Sequence, residues 1–239
     1  MQTDLDVNVD SAEKAALRPI SGPFFGARGR ACEPFLGRVN TEWARQLYDG
    51  AGAAHAFDHV LRVLRLAERI AKEEGADLAV VRMATLLHDV ARDEPEHHLR
   101  GAARARELLA EHPPAFVEAV AHAIEAHRFR AGPAPTTLEA QCLHDADKLD
   151  AIGAIGVGRA FAYAGRQGER LWTTPVDQID FASPPPPTLD YTPGHEFVYK
   201  LAQLKEKLYT NAARRIAAER HEFMAAFFRR LDAEAQGMA

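Results

Sequence analysis

The chain has 239 residues, 47% hydrophobic and 26% charged, enough to build one soluble domain with a substantial core and too apolar for a disordered chain. Its net charge of −5 gives no general attraction for nucleic acid, although a local basic pocket for phosphate stays compatible with it. Two cysteines, Cys32 and Cys142, are too few for a disulfide framework or a cysteine-based zinc site, so a reducing cytoplasm is expected.

The opening, Met1 to Asp6, is acidic and lacks an apolar segment, which argues against a signal peptide. No run approaches the roughly 18 apolar residues that would span a bilayer. Residues 1–39 are punctuated by Pro19, Gly22, Pro23, Gly26, Gly29, Pro34 and Gly37, and are predicted to be an irregular extension. Residues 40–235 are predicted to be one helical domain. Trp43, Leu47 and Tyr48 recur at helix spacing, and Gly50-Ala51-Gly52 ends that segment. The next helix is expected from about Asp58, with His59, Val63, Leu66 and Ile70 on one face and Gly75 as its C-cap. Asp77 reads as the N-cap of a helix that carries Val81, Ala84 and His88 on its core face, runs through Asp89 and stops at Pro95.

Further helices are expected over Leu99–Ala110 and Ala115–His127, the first closed by Pro113-Pro114. The next opens on a capping box, Thr136 with Glu139, and carries Leu143 and Asp147 at i and i+4. Gly153, Gly156 and Gly158 then suggest close helix packing. Residues 165–194 are predicted to be an irregular loop, with Ser183-Pro184-Pro185-Pro186-Pro187 as an extended connector. From His195, the residues Phe197, Leu201, Leu204 and Leu208 define a helix. Thr210 caps a last one, whose buried side is marked by Ile216, Phe223, Phe227 and Leu231; an apolar patch there is either core or a homodimer surface. No strand pattern stands out, and the reading is all-α.

Three predicted helices therefore present ligand-type residues from core faces: His59, His88 with Asp89, and Asp147. A carboxylate inside an apolar run needs a partner or a metal. Two imidazoles and two carboxylates form a mixed nitrogen and oxygen set. That set suits one divalent transition metal (Mn, Fe, Co, Ni or Zn) better than Ca or Mg, which prefer oxygen. Four such ligands on a six-coordinate ion leave two positions for water and a substrate oxygen.

The series His … His-Asp … Asp, in the segments Phe57-Asp58-His59-Val60-Leu61-Arg62-Val63, Leu86-Leu87-His88-Asp89 and Asp145-Ala146-Asp147-Lys148-Leu149-Asp150-Ala151-Ile152-Gly153-Ala154-Ile155-Gly156, resembles the HD-domain phosphohydrolase superfamily. The likeness covers roughly residues 40–235 and extends to Leu204–Thr210 and Glu219–Met224. It is similar to a bacterial and archaeal branch, some members of which cleave nucleoside triphosphates. The resemblance implies an HD-domain helical bundle and a metal-dependent phosphohydrolase. Its substrate would be a nucleotide or other small phosphate ester, with metal-activated water attacking phosphorus. The alternative is a metal-stabilised nucleotide-binding regulatory module without turnover.

The second tier of residues follows from position. Asp93 and Glu94, one helical turn past the His-Asp pair, are candidates for general acid or base. Arg62 and Lys148 are likewise candidates for contact with substrate phosphate; for His195 and Lys200 the resemblance to the family's tail implies the same role. Lys148 is expected to lean toward a phosphate at the edge of the cleft. His122 and His127 lie where binuclear members of the superfamily use extra histidines. No nucleic acid or membrane partner is expected.

Overall fold

A computed structural model of the protein describes residues 41–48, 53–128 and 132–239. The expected extension 1–39 and the turn at Gly50-Ala51-Gly52 lie outside the described residues. Among the described residues the regular structure is helical: α1 (Thr41–Gln46), α2 (Ala53–Glu74), α3 (Leu78–Leu87), α4 (His97–Leu108), α5 (Pro114–Glu125), α6 (Leu138–Leu149), α7 (Gly153–Gln167), α8 (Pro193–Tyr199) and α9 (Asn211–Ala235), with no strand. This is the all-α bundle that the pattern predicted. None of these helices is long and apolar enough to cross a membrane.

The long helix α2 is the spine. Phe57, Val60, Val63, Ala67 and Ile70 are all buried along one stripe, which packs against α3 and α6. Helix α3 is enclosed nearly all round: Val80, Val81 and Met83 through Leu87 are buried. It begins at Asp77, whose Oδ1 accepts from the amides of Ala79 and Val80 at 2.8 and 3.4 Å. Helix α5 covers α3 and α6, α4 packs on α5, and α9 crosses α2, α6 and α7.

Several local expectations are corrected. Helix α3 ends at Leu87, well before Pro95. Tight i→i+3 hydrogen bonds (Val90 to Leu87, Arg92 to Asp89, Glu94 to Ala91) carry the chain through turns instead. His88 and Asp89 therefore sit at a helix end, where the backbone can aim both side chains into one site. The capping residue of α6 is Thr137, whose Oγ1 accepts from Ala140 N at 3.2 Å; Glu139 accepts from Asp77 N at 3.0 Å and ties α6 to α3. Helix α8 stops at Lys200, and Leu201–Lys207 winds as 3₁₀ helix. On α9 the buried stripe runs through Ile216, Met224 and Phe228, while Phe223 is 50% exposed. Phe223 lies about 100° round the helix from Met224. The segment between α7 and α8 holds two 3₁₀ turns, Val176–Gln178 and Thr188–Asp190. It is pinned to α9 by Asp232, which accepts from Trp172 Nε1 at 2.8 Å and Val176 N at 3.0 Å.

Candidate metal centre

Four side chains expected to act together meet where α2, the end of α3 and α6 converge. His59 Nε2 lies 3.2 Å from Asp147 Oδ1 and 3.8 Å from Asp89 Oδ2, and His88 Nε2 lies 3.6 Å from the same Asp89 oxygen. His59, His88 and Asp89 are buried; Asp147 is partly so. Each imidazole is fixed through its other nitrogen. His59 Nδ1 is 2.7 Å from Asp150 Oδ2, and His88 Nδ1 is 2.8 Å from the carbonyl of Thr85. Nδ1–H must be the donor to an acceptor carbonyl, which leaves Nε2 to face the site. That nitrogen is buried and has no hydrogen-bond partner. A buried imidazole nitrogen without a hydrogen-bond partner, set beside the Asp89 carboxylate and a second imidazole, is what a metal ligand looks like without its ion.

The charges agree. Burial disfavours the His59 cation, but its hydrogen bonds to Asp147 and Asp150 outweigh it and raise its pKa from 6.5 to about 9. Burial opposes the charged form of Asp147 as well; Lys148 and His59 overcome it and hold the carboxyl well below the usual range. Asp89 is also held low against burial, by the charges of His88 and Arg92. The site thus keeps its carboxylates ionised, the form that binds cations.

The structure gives Lys148 a different setting from the expected one. It is buried, with Nζ donating to Asp147 Oδ2 at 2.7 Å and to the His127 carbonyl at 3.0 Å, so it faces inward rather than to the cleft edge. His195 is buried too; its Nδ1 accepts from Thr192 N at 3.2 Å in a capping box at the start of α8. It does not line the cavity below. Arg62, Asp93, Glu94 and Lys200 do. Glu94 pairs with Arg100 at 3.4 Å and Lys200 with Glu196 at 2.6 Å.

The cavity measures about 1160 Å³ and has His59 and Asp89 in its wall. Asp150 is the residue that sequence reasoning missed most plainly. It accepts from His59, from Arg62 at 2.7 and 2.9 Å, and from Arg159 Nη1 at 3.0 Å. Its position three residues after Asp147, on the same side of α6, was the available signal. Arg92, Arg159 and Arg166 add positive charge to the cavity wall. Asp89 also faces a second pair of imidazoles, His97 and His127, whose ligand atoms lie with its own within 4.8 Å of one another. His127 donates from Nδ1 to the Ile124 carbonyl at 2.6 Å, and burial, followed by the charge of His88, pushes its pKa down to about 3, so it is neutral. His122 is turned away, bonded to Thr136 Oγ1 at 3.0 Å.

Residues 56–152, which hold the whole constellation, match the family model of the HD domain. YpgQ of Bacillus subtilis is 30% identical over 203 residues, spanning 82% of this chain and 92% of its own length. Its crystal structure superposes with a TM-score of 0.66 at 30% identity, over 87% of this chain and 100% of that one. YpgQ has also been crystallised in complex with ADP; that structure is 29% identical, with a TM-score of 0.63 over 81% of this chain and 92% of the other. An HD-superfamily hydrolase from Bacillus thuringiensis is 29% identical, with a TM-score of 0.69 over 85% of this chain and 98% of the other. With the matched segment, the all-helical bundle and the His/Asp cluster in agreement, the chain belongs to the HD-domain phosphohydrolase superfamily.

Proposed function

We propose that the protein is a metal-dependent phosphohydrolase that acts on a nucleotide, with His59, His88, Asp89 and Asp147 holding one divalent transition ion. The observation that carries this reading is the buried, unpartnered Nε2 of His88 facing His59 and Asp89. The mixed nitrogen and oxygen donors fit Mn, Fe, Co, Ni or Zn. When bound, such an ion supplies Lewis acidity, lowering the pKa of a water and polarising a phosphoryl oxygen. The ADP complex of a relative supports a nucleotide as the ligand of the adjoining cavity.

The chain's own residues do the rest. Asp150 and the Thr85 carbonyl fix the two imidazoles, and Lys148 orients Asp147. Arg62, Arg159, Arg166 and Lys200 line the cavity and offset phosphate charge there. Arg62 and Arg159 share Asp150 with His59, so substrate charge and ligand orientation meet at one carboxylate. Asp93 also lines the cavity and makes no ion pair among the described residues, so it is the freer of the two expected acid–base candidates for proton transfer.

A colorimetric phosphate assay across nucleotides with Mn, Co, Ni and Mg, run with and without added pyrophosphatase, tests the reading. Colour only with pyrophosphatase means pyrophosphate release; colour without it means phosphate release. No turnover of any nucleotide, with binding retained, favours a regulatory module that senses a nucleotide. Stoichiometric metal retained in a doubly substituted His88→Ala/Asp89→Ala protein would overturn the site assignment. The second cluster, Asp89 with His97 and His127, favours one further reading, a centre of two ions. Metal analysis reads this directly as two ions per chain instead of one.

A further inference from the structure

The main cavity opens sideways into a recess of about 460 Å³. The two share Tyr163, Glu169, Tyr191, Glu196 and Lys200, and the recess adds Pro185 and Pro186 from the proline run. The proline connector is therefore a wall of the ligand cavity and not only a link between helices. Its far end is tied to the end of α7: Arg170 N donates to the Leu189 carbonyl at 3.3 Å, and the Arg170 side chain lies 3.5 Å from Asp190.

The walls suit a flat ring. Tyr191 is held in place, its hydroxyl donating to Glu196 Oε2 at 2.8 Å and its ring stacked on His195 at 5.8 Å. Tyr163 is 62% exposed and has no ring partner among the described residues. Prolines and tyrosines offer rigid apolar surface, and aromatic rings stack on any base. The two carboxylates differ. Glu196 is fully engaged, one oxygen with Tyr191 and the other with Lys200 at 2.6 Å. Glu169 is half-buried, and its carboxylate has no hydrogen bond or ion pair among the described residues.

We infer that this recess is a nucleobase subsite that selects guanine, read by Glu169. The inference rests on the nucleotide reading above and adds the identity of the base. A carboxylate accepts only, with two oxygens side by side. Guanine alone among the common bases offers two adjacent donors on one edge, N1–H and the 2-amino group. Adenine and cytosine set a ring-nitrogen acceptor beside their single amine, and thymine flanks its one N–H with carbonyls; each would put an acceptor against the carboxylate. A half-buried acceptor pair without donors is completed by such an edge.

The test is equilibrium binding of GDP, IDP and ADP to the metal-loaded protein, which needs no turnover. GDP should bind about tenfold or more tighter than ADP, the scale of one charge-assisted hydrogen bond. IDP, which keeps N1–H and lacks the 2-amino group, should fall between them. Glu169→Gln puts a donor against the donor edge and should shrink the GDP-to-ADP ratio to near unity. Tyr163→Ala should weaken all three alike and keep the ratio. Equal affinities in the parent protein, or a ratio that survives Glu169→Gln, overturn the inference while leaving the nucleotide reading intact. No binding of any diphosphate overturns both.

Discussion

Lys148 shows what a single residue contributes beyond its charge. Its ammonium is buried between Asp147 and the carbonyl of His127, so its removal acts first on the metal ligand. Lys148→Met keeps most of the volume and deletes the donor, leaving Asp147 with His59 but without one of the partners that hold it ionised. The variant should bind metal about 10- to 100-fold more weakly, the usual cost of losing a residue that orients a ligand. At saturating metal its KM for nucleotide should be close to that of the parent protein. A normal metal affinity with a raised KM, from metal titration and steady-state kinetics on the same preparation, would return Lys148 to the role of phosphate contact.

The start of α7 carries an element-scale consequence of the glycine-rich stretch. A Cβ on Gly156 would sit 2.3 Å from the carbonyl oxygen of Ala151, a backbone atom that cannot step aside. Gly153 has φ of +78° and lies against the Arg220 side chain, which in turn donates to the Leu149 carbonyl. These two glycines let α7 follow α6 almost without a loop and bring Arg159 back to Asp150. Gly158 is exposed and meets nothing within 4 Å. Gly156→Ala should therefore cost about 1–3 kcal/mol, as overpacking does. Gly158→Ala should stabilise by about 0.5–1 kcal/mol, because alanine is the better helix former at an unstrained position. Denaturant melts of the two variants decide it; equal effects would mean that α7 does not begin on a close backbone contact.

For the whole molecule, the candidate centre joins three of the principal helices, so an ion there ties α2, α3 and α6 together. Chelation should lower the melting temperature, and Mn or Ni should restore it. For an ion present at roughly 100 times its Kd the linkage is about 2.7 kcal/mol, or about 5–10 °C for a chain of this size. The metal-free protein should also show a signature of its own. His59 holds its proton up to about pH 9, against 6.5 for an ordinary histidine, because Asp147 and Asp150 outweigh the cost of burial. A pKa raised on folding contributes stability that is fully present below 6.5 and lost as the pH climbs through 9. Melting of the chelated protein should thus fall between pH 6.5 and 9. A melting temperature that rises across that range would mean that His59 is neutral without the ion.

The sequence by itself determined the helical class and the identity of the four clustered side chains. Both rest on short-range rules: the 3.6-residue period places His59 with Val63 and Ile70, and Asp147 with Leu143, on faces that must turn inward. It also determined the caps at Asp77 and Thr210, whose side chains bond amides two or three residues on. Only the tertiary structure decided what those faces meet. That His59 and Arg62 share Asp150, that His97 joins His127 beside Asp89, and that the proline run walls a recess with Tyr163 are contacts between residues far apart in the chain. No local period encodes them. The direction of Lys148 was settled in the same way. Helix geometry places its Cα about 100° from that of Asp147, but the long side chain folds back to the nearest buried charge and carbonyl, and packing supplies both.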